Sequence, residues 1–270
     1  MDLTTIIGIV FAFAMIVYGA MGGGEGLTGI MRLVHIPSLI LVFGGTVAAF
    51  IGTYTMEQLK AFGKITGKAF KAPHFDPKKT INSIIELANI ARKEGLLALE
   101  EIASKIEDPF MQKAVNLMVD GTDPVLLKDI LEAEIGATES RHQTGASMYE
   151  GIAAIAPAFG MLGTLIGLIG MLGSLDDADG LGAGMAIALV TTFYGSLIAN
   201  IIANPIANKL KTRSAEEILQ MELILEGILS IHGGENPHII QEKLNSFLSR
   251  TELHGKPKKG EAAPVAAEEE

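Results

Sequence analysis

The sequence predicts an all-α membrane protein: four transmembrane helices with a large helical cytoplasmic domain. Four apolar stretches lack any Asp, Glu, Lys or Arg, and the charged residues are confined to blocks between and after them. Each stretch has about the 20 apolar residues that a helix needs to cross the core of a bilayer. No segment shows the convincing period-two alternation of a half-buried strand. The stretches are residues 3–24, 36–56, 151–175 and 180–208.

Composition excludes several classes of protein. The 270 residues include no cysteine, which excludes disulfides and thiolate metal sites. The formal net charge is −10, and no basic patch indicates binding to nucleic acid. The beginning, Met1-Asp2-Leu3, has neither the positive flank nor the cleavage site of a secretory signal. We therefore expect the first apolar stretch to remain as a helix.

The distribution of Lys and Arg predicts the orientation of the four helices. Twelve of the 21 lie between residues 57 and 150, and eight follow residue 208. Arg32 alone lies between the first two helices, and none lies between the third and fourth. Because short loops rich in Lys and Arg stay in the cytoplasm, both termini and the 57–150 block are predicted to be cytoplasmic.

Proline and glycine divide the cytoplasmic parts into helices. Three Asp-Pro pairs combine a good N-cap with proline at the first helical position, and two glycines fall where helices should end. The pairs are Asp76-Pro77, Asp108-Pro109 and Asp123-Pro124, and the glycines are Gly95 and Gly121.

The predicted organisation is two membrane hairpins separated and followed by cytoplasmic parts. The low-complexity end of the chain is predicted to be disordered. The segments are a first hairpin over 1–56 (helices 3–20 and 36–56), a cytoplasmic helical domain over 57–150, a second hairpin over 151–208 (helices 151–174 and 181–208), cytoplasmic helices over 209–253 and a tail over 254–270.

Small residues line one face of the third membrane helix. They recur at intervals of 3, 4, 3, 4 and 3, which keeps them on one side. In lipid, small residues let neighbouring helices approach closely. The face therefore packs either within this chain or against another chain. Its members are Ala153, Ala156, Gly160, Gly163, Gly167 and Gly170.

Polar residues recur at every fourth position of the fourth membrane helix. A polar group at membrane depth costs free energy unless it meets a partner or water. One or two such residues would simply join neighbouring helices, but five in a row favour a hydrated path. The row consists of Thr192, Ser196, Asn200, Asn204 and Asn208.

The membrane stretches also lack a residue that ion transport requires. An ion path usually needs a carboxylate or a ring of carbonyls near the middle of the bilayer, and none of the four stretches contains Asp or Glu. If the protein moves ions, the titrating carboxylate must come from a second polypeptide. This chain would then surround the partner helix and offer hydroxyls such as those of Thr164 and Thr192.

Two prolines, Pro157 and Pro205, lie within the apolar stretches. The predicted topology places both at similar depth, near the cytoplasmic ends of the third and fourth helices. Each removes a backbone hydrogen bond and can kink its helix. Membrane helices also tolerate proline without a special role, so a hinge and a purely structural role both remain open.

Several motifs, in order along roughly residues 1–250, resemble the MotA/PomA family of flagellar stator subunits within the MotA/TolQ/ExbB superfamily. The likeness is closest to MotA. The motifs are ARKEGLLALEE at 91–101, APAFGMLGTLIG at 156–167, TTFYG and NPIA at 191–195 and 204–207, and GGENP at 233–237.

The resemblance implies a function, a location and partners. Members of the family are not enzymes and need no cofactor beyond the transported H⁺ or Na⁺. They form a homopentamer in the bacterial inner membrane around two copies of a single-span MotB/PomB-type partner, whose membrane Asp binds the ion. Ion flow turns the pentamer, and its cytoplasmic domain drives the rotor protein FliG.

The resemblance also implies roles for particular residues. Pro157 and Pro205 would couple ion passage to motion, and Thr164 and Thr192 would line the ion path. Four charged residues of the cytoplasmic motif would face FliG, although their charges alone would suggest an ordinary solvated helix surface. These four are Arg92, Lys93, Glu100 and Glu101.

The coupling ion is less clearly implied. Paired Thr164 and Thr192 resemble sodium-type members of the family. However, sodium-type relatives tend to carry an acidic residue at the start of the second helix, where this chain has His35. A threonine can equally hydrogen-bond to a carboxylate that takes up a proton. We favour the proton, with sodium as the alternative.

Other functions are less consistent with the sequence. An energy-coupling subunit resembling ExbB or TolQ is the nearest alternative, but those proteins have three spans, and the two N-terminal spans here favour the flagellar branch. An enzyme would need a site, and the nearest approach to metal-ligand spacing is His232, Glu235 and His238, which a loop around Pro237 explains more simply. A transporter would need a membrane charge.

Overall fold

The structure is a computed structural model that describes residues 3–22, 26–70, 76–173 and 178–248. Helices make up almost all of these residues, and no strand occurs among them. The predicted all-α class is therefore confirmed. The predicted disordered tail over 254–270 lies outside the described residues.

The described residues form twelve α-helices, joined in places by π-helical or 3₁₀ turns. The π-helical segments are Ile40–Gly44 and Ile198–Ala203, and Leu96–Ala98 is a 3₁₀ turn. The α-helices are α1 (Leu3–Met21), α2 (Leu27–Leu33), α3 (Ile36–Leu39), α4 (Gly45–Thr53), α5 (Met56–Phe70), α6 (Pro77–Glu94), α7 (Leu99–Ala103), α8 (Pro109–Val119), α9 (Pro124–Leu172), α10 (Ala178–Leu197), α11 (Asn204–His232) and α12 (Pro237–Asn245).

Four of the helical stretches are long and apolar enough to cross a membrane, as predicted. The first span is α1, and the second runs over Ile36–Thr53 through α3, a π-helical turn and α4. The third span is the apolar part of α9. The fourth begins in α10 and continues through the π-helical turn into α11.

Several helix boundaries differ from the prediction: the second helix ends at Thr53 and not at residue 56, and the fourth continues past residue 208 to His232. The third helix does not begin at residue 151: α9 is 49 residues long and starts at Pro124, so it measures about 74 Å at 1.5 Å per residue. Residue 151 marks the change in composition, where charged residues stop, and not a change in backbone structure. The short helix α2, after the first span, was not predicted.

The chain divides into two compact units. The first comprises Met1–His74 with Glu139–Ala215, and the second Phe75–Thr138 with Glu216–Glu270. The first unit contains the four apolar stretches, and the second contains most of the amphipathic helices.

Close backbone contact between the third and fourth spans holds the first unit together. A Cβ atom placed on Gly167 would lie 2.7 Å from the carbonyl oxygen of Gly184, and one on Gly163 would overlap the side chain of Thr191. A Cβ on Gly170 would meet nothing within 4 Å in the described chain. The small-residue face of the third span therefore packs largely within this chain. At Gly163 and Gly167 this favours packing inside the chain over packing against another chain.

An aromatic ladder joins the second span to α5 and α9. The ring of Phe50 lies 4.9 Å from that of Tyr54 and 5.0 Å from that of Phe62, measured between ring centroids. Phe62 in turn lies 5.0 Å from Tyr149. Aromatic pairs at this spacing add to the stabilisation from buried area. The ladder fixes the orientation of α5 relative to the end of the second span.

The first span has little contact with the rest of its unit. None of its described residues is buried, and large apolar side chains such as Phe11 (64%) and Tyr18 (72%) are exposed. Gly29 in α2 approaches the backbone of Ala20 at the end of the span. Lipid or another protein must cover the remaining apolar surface.

In the second unit, the helices begin where the sequence indicates. The Asp76 side chain accepts a hydrogen bond from the backbone N–H of Lys79 (3.1 Å) and so caps α6. Asp108 accepts from Met111 at 3.0 Å and caps α8 in the same way. Such caps satisfy backbone groups that no helical turn can reach. The predicted starts at all three Asp-Pro pairs are confirmed, since α6, α8 and α9 begin at their prolines.

The second unit has one hydrophobic core, to which α12 is clamped by a lysine. Fully buried members of the core include Ile84, Leu127 and Ile228. The Lys243 ammonium group lies 2.5 Å from the Glu226 carboxylate and 3.4 Å from that of Glu235. It also donates to the Ser230 hydroxyl. The hydrogen bond to Glu226 is the main cause that raises the pKa of Lys243 above its usual value. Its contribution to stability is present at neutral pH and is lost only as the pH rises through that raised pKa.

Candidate functional site

The polar row of the fourth span lies mostly on the exposed side of the helix. Thr192, Ser196, Asn200 and Asn208 are exposed and Asn204 is half-buried. Several of these side chains donate within the helix: the Thr192 hydroxyl to Ala188 O at 3.1 Å, and the Asn200 amide to Ser196 O at 3.1 Å. The oxygen atoms of the row retain acceptor capacity on the open side. At membrane depth, such a face must be covered by water or by polar groups of a partner.

Thr191 and Thr192 are neighbours in the sequence but lie in different environments. Thr191 has no exposed surface, and its hydroxyl donates to Ile187 O at 2.9 Å and Ala188 O at 3.0 Å. Its side chain fills the space beside Gly163. Thr191 therefore contributes to packing. Thr192 is exposed, and its hydroxyl oxygen can accept a hydrogen bond from a group outside this chain.

Thr164 lies about one helical turn from the level of Thr192, and the two hydroxyls donate to different carbonyls. A Cβ on Gly160, one helical turn before Thr164, would lie 3.3 Å from the Thr192 Cα. The Thr164 hydroxyl donates to the carbonyl of Met161 at 2.6 Å, and that of Thr192 donates to its own helix. The two threonines therefore lie at neighbouring levels, each free to accept from a third group.

The two prolines lie at different depths, so the prediction of similar depth was wrong. Pro157 is opposite Gly195, since a Cβ on Gly195 would lie 3.1 Å from the Pro157 Cα. Pro205 follows Gly195 by ten residues, or about 15 Å along a helix. The error arose because hydropathy gives the composition of a span and not its register against a neighbour.

The prolines also differ in how the backbone accommodates them. Pro157 lies inside the continuous helix α9. Pro205 directly follows Asn204 and the π-helical turn Ile198–Ala203. A π-helical turn is a wider turn that often marks functional sites, and here it ends with the Asn204 N–H donating to the Ala199 carbonyl, one residue before the proline that has no N–H to donate. Pro205 therefore has a local irregularity beside it that Pro157 lacks.

Tyr194 holds the break between α2 and α3, just before the second span, and was not identified from the sequence. The backbone between α2 and α3 is extended at Val34 and His35. The Tyr194 hydroxyl donates to Leu33 O at 2.5 Å and accepts from the His35 N–H at 3.2 Å. These bonds satisfy backbone groups that the break leaves without helical partners. A tyrosine at membrane depth, whose hydroxyl needs a partner, was the available signal.

His35 caps the second span. Its Nδ1 atom lies 2.7 Å from the Ser38 hydroxyl and accepts from the Ser38 N–H at 3.3 Å. His35 is thereby fixed at the start of the second span, next to Tyr194.

A groove of about 390 Å³ separates the first span from the fourth. Its walls are mostly apolar and include the hydroxyl groups of two threonines and the amide of one asparagine. The residues that line it are Thr4, Thr5, Gly8, Ile9, Ala12, Asn200, Ile201 and Pro205.

In the second unit, the four predicted rotor-facing residues surround one turn. Arg92 and Lys93 are in the last helical turn of α6, and Glu100 and Glu101 are in the first turn of α7. All four are exposed, and Glu101 forms an ion pair with Lys105 at 3.2 Å. The structure therefore places basic groups before the turn and acidic groups after it.

The turn itself is well defined and carries an exposed apolar residue. Gly95 has a φ of 88° at the end of α6, a conformation that strongly favours glycine. Leu97 is 74% exposed, while Leu99 is fully buried and anchors α7. A cleft of about 590 Å³ beside Leu97 is lined by Glu94, Ala98, Glu100 and Glu101. Leu97 was not singled out from the sequence, because an apolar residue beside Leu96 and Leu99 is expected to be core.

The residues with the nearest metal-ligand spacing make other contacts in the structure. No group of three or more His, Asp or Glu side chains suitable for a metal occurs in the described part of the chain. Glu235 instead pairs with Lys243, and the backbone N–H of His238 donates to the Asn236 cap. The loop interpretation of His232, Glu235 and His238 is consistent with these contacts.

Comparison with known proteins agrees with this arrangement. Residues 102–223 match the model of the MotA/TolQ/ExbB proton channel family. The chain is 39% identical to chemotaxis protein PomA of Vibrio alginolyticus over 249 residues, which is 92% of this chain and 96% of PomA. The chain belongs to the MotA/TolQ/ExbB proton channel family. The predicted resemblance is thereby confirmed.

Further relatives of this family member are named for motility. Motility protein A of Treponema pallidum (strain Nichols) is 38% identical over 249 residues, covering 92% of this chain and 95% of that protein. The flagellar MotAB stator complex from Bacillus subtilis contains a chain with a TM-score of 0.85 and 32% identity, covering 93% of this chain and 98% of that one. The fold of four spans with helical parts outside them is therefore shared along nearly the whole chain.

Replacing Tyr194 with Phe should destabilise this family member by about 1–3 kcal/mol, the cost of leaving buried polar groups unsatisfied. The ring contact with Phe43, at 6.4 Å between centroids, would remain. Unfolding of the purified protein in mixed micelles, followed by circular dichroism, measures the change.

The matched control is Tyr18→Phe, which removes a hydroxyl from an exposed side chain of the first span. It should leave the free energy of unfolding within about 0.5 kcal/mol of the unmodified protein. Equal stability of the two variants would show that the Tyr194 bonds do not hold the break.

Proposed function

We propose that this protein is a stator subunit of the bacterial flagellar motor. With a MotB-type partner, it couples ion flow across the inner membrane to torque on the rotor. The observation that carries the proposal is the exposed polar row of the fourth span in a chain whose membrane stretches have no acidic residue. The relatives named PomA, Motility protein A and MotAB support it.

The exposed row supports a division of labour between two polypeptides. Hydroxyl and amide oxygens can solvate a cation or accept a hydrogen bond from a protonated carboxyl group, but they cannot take up and release a proton near neutral pH. The carboxylate would come from the single membrane Asp of the partner. Thr164 and Thr192 would face that Asp, and several copies of the chain, five by resemblance, would surround the partner helices.

The same arrangement supports the proposed location. The protein would span the bacterial inner membrane with both termini in the cytoplasm, because 20 of its 21 Lys and Arg residues lie on that side of the predicted topology. The second unit would then lie in the cytoplasm, where Arg92, Lys93, Glu100 and Glu101 could meet the rotor protein FliG. Its function would not be enzymatic, and it would need no cofactor other than the transported ion.

The prolines would have unequal parts in coupling. Pro205, beside a π-helical turn and on the wall of the groove to the first span, is suited to be the main hinge. Pro157 lies against Gly195, where it would transmit movement of the fourth span to α9. We propose protons as the coupling ion, with sodium as the alternative.

An energy-coupling subunit of the ExbB/TolQ type is a second candidate, since the family model includes these proteins. The described first unit has two helical stretches before the third span that could cross a membrane, and this favours the flagellar branch. The coverage of more than nine-tenths of PomA and Motility protein A also favours it.

Thr192→Val should lower the ion conductance of an actively conducting complex by about fivefold, because one stabilising hydrogen bond is worth about 1 kcal/mol. The control is Thr53→Val. The hydroxyl of Thr53 is also exposed and also donates to the carbonyl four residues earlier, Ala49 O, at 2.8 Å, but it lies on the second span.

Conductance should be measured in proteoliposomes with a pH-sensitive dye, once in sodium-free buffer and once in sodium. Conductance in the sodium-free buffer would support the proton as the coupling ion. Equal effects of the two substitutions would contradict the placement of Thr192 in the ion path.

Arg92→Glu and Glu100→Lys should each impair swimming in a strain without other stators, while the ion conductance of the complex stays intact. Both reverse an exposed charge at the turn between α6 and α7, so they would repel the complementary rotor surface. The measurement is swimming speed together with conductance of the same variants.

Two controls make the same changes in charge at exposed positions of α6 that lie away from the turn. Lys79→Glu corresponds to Arg92→Glu, and Glu86→Lys corresponds to Glu100→Lys; both positions are exposed in α6. If the controls impaired swimming as strongly as the variants at the turn, the rotor contact would have to lie elsewhere.

A further inference from the structure

Helix α5 begins immediately after the second span. The span ends at Thr53, and α5 starts at Met56. A reciprocal cap fixes this start: the Thr55 N–H donates to Gln58 Oε1 at 2.9 Å, and the Gln58 N–H is directed at the Thr55 hydroxyl at 3.4 Å. This is the capping-box arrangement that defines a helix N-terminus. The first turn of α5 is therefore held at the edge of the membrane, where lipid headgroups lie.

The inner face of α5 is anchored to the rest of the first unit. The ring of Phe62 packs between those of Phe50 and Tyr149 at 5.0 Å from each. The Thr66 hydroxyl lies 2.5 Å from that of Tyr149, and Ile65 fills the space over Gly145. Because these contacts fix the rotation of α5 about its axis, the opposite face is a defined surface.

The outer face of α5 is basic and otherwise nearly flat. Lys60 and Lys64 are exposed, and neither forms an ion pair with the residues described here. Between and beyond them lie Ala61, Gly63 and Gly67, and a Cβ on either glycine would meet nothing within 4 Å. A surface of lysines and very small residues lets the helix backbone approach another surface closely.

The charge of this face is not compensated by the acidic residue just before the third span. This residue, Glu150 in α9, forms an ion pair with Lys211 in α11, so its charge is already balanced. In the sequence, Lys68 and Lys71 follow Lys60 and Lys64, and Glu57 is the only acidic residue from 54 to 75. Four lysines within twelve residues directly after a span form the pattern that attracts anionic lipids.

We propose that the outer face of α5 binds the phosphate groups of anionic phospholipids in the cytoplasmic leaflet. The inference rests on the membrane orientation proposed above, but it does not depend on ion flow or torque. Lys60 and Lys64 supply the charge, and Gly63 and Gly67 allow close approach to the headgroups. Binding at this point would hold the end of the second span at a fixed depth while other helices move.

The test uses the complete complex with its partner, purified in neutral detergent. Phosphatidylglycerol or phosphatidylcholine is added, and retained lipid is counted by native mass spectrometry. The complex should prefer phosphatidylglycerol, and Lys60→Gln with Lys64→Gln should weaken that binding by about fivefold for each lysine removed. Lys60→Arg with Lys64→Arg should restore it, and 0.5 M salt should abolish the difference.

The matched control is Lys78→Gln with Lys79→Gln, which removes two charges from α6 in the second unit. It should leave the retention of phosphatidylglycerol unchanged. The proposal is overturned if the control loses lipid as the α5 variant does, if the α5 variant retains it fully, or if inorganic phosphate alone displaces the lipid. It is also overturned if the α5 variant keeps its lipid but no longer binds the rotor protein, since the face would then be a protein contact.

These outcomes are separate from those for the proposed function. A complex that prefers phosphatidylglycerol through α5 but does not support swimming would retain the lipid inference and contradict the stator assignment. A complex that supports swimming but shows no preference for phosphatidylglycerol would contradict the lipid inference and retain the stator assignment.

Discussion

Backbone contact between the third and fourth spans determines which side of the fourth span is exposed. Gly167 and Gly184 approach so closely that neither can carry a side chain without displacement, and this fixes the rotation of both helices. One face of the fourth span is thereby committed to packing, with Thr191 fully buried. Thr192, about 100° round the helix from Thr191, lies at the border of this packing face and is exposed. A polar face of this length at membrane depth requires a partner, and the proposed function follows from that requirement.

The irregular segments of the backbone lie around the same contact. Val42, in the π-helical turn of the second span, packs in one cluster with Ile198, the first residue of the π-helical turn of the fourth. Tyr194, in the same cluster, holds the break before the second span. Irregular backbone at membrane depth is stable only when its groups find partners inside the protein, so these features depend on one another. A displacement of the fourth span would therefore be transmitted directly to the second span.

Much of this organisation could be predicted from residue types and spacing. Length and apolar composition were sufficient for the four spans, and the Asp-Pro pairs were sufficient for the helix starts in the second unit, because both signals are local. The depth of Pro205 relative to Pro157 was not predictable, since it depends on the register between two helices. The part played by Tyr194 was missed for the same reason: its partners, Leu33 and His35, are some 160 residues away. The exposure of Leu97 was not predicted, because the residue type alone does not show whether an apolar side chain in a turn faces the core or the solvent.

The central claim is that this chain provides the polar wall of an ion path and that a partner provides the titrating carboxylate. The most direct measurement is the cation conductance of proteoliposomes that contain the chain alone, the chain with its MotB-type partner, or the chain with a partner whose membrane Asp is replaced by Asn. The account predicts conductance only in the second case, in a conducting form of the complex. Selective conductance by the chain alone would contradict it.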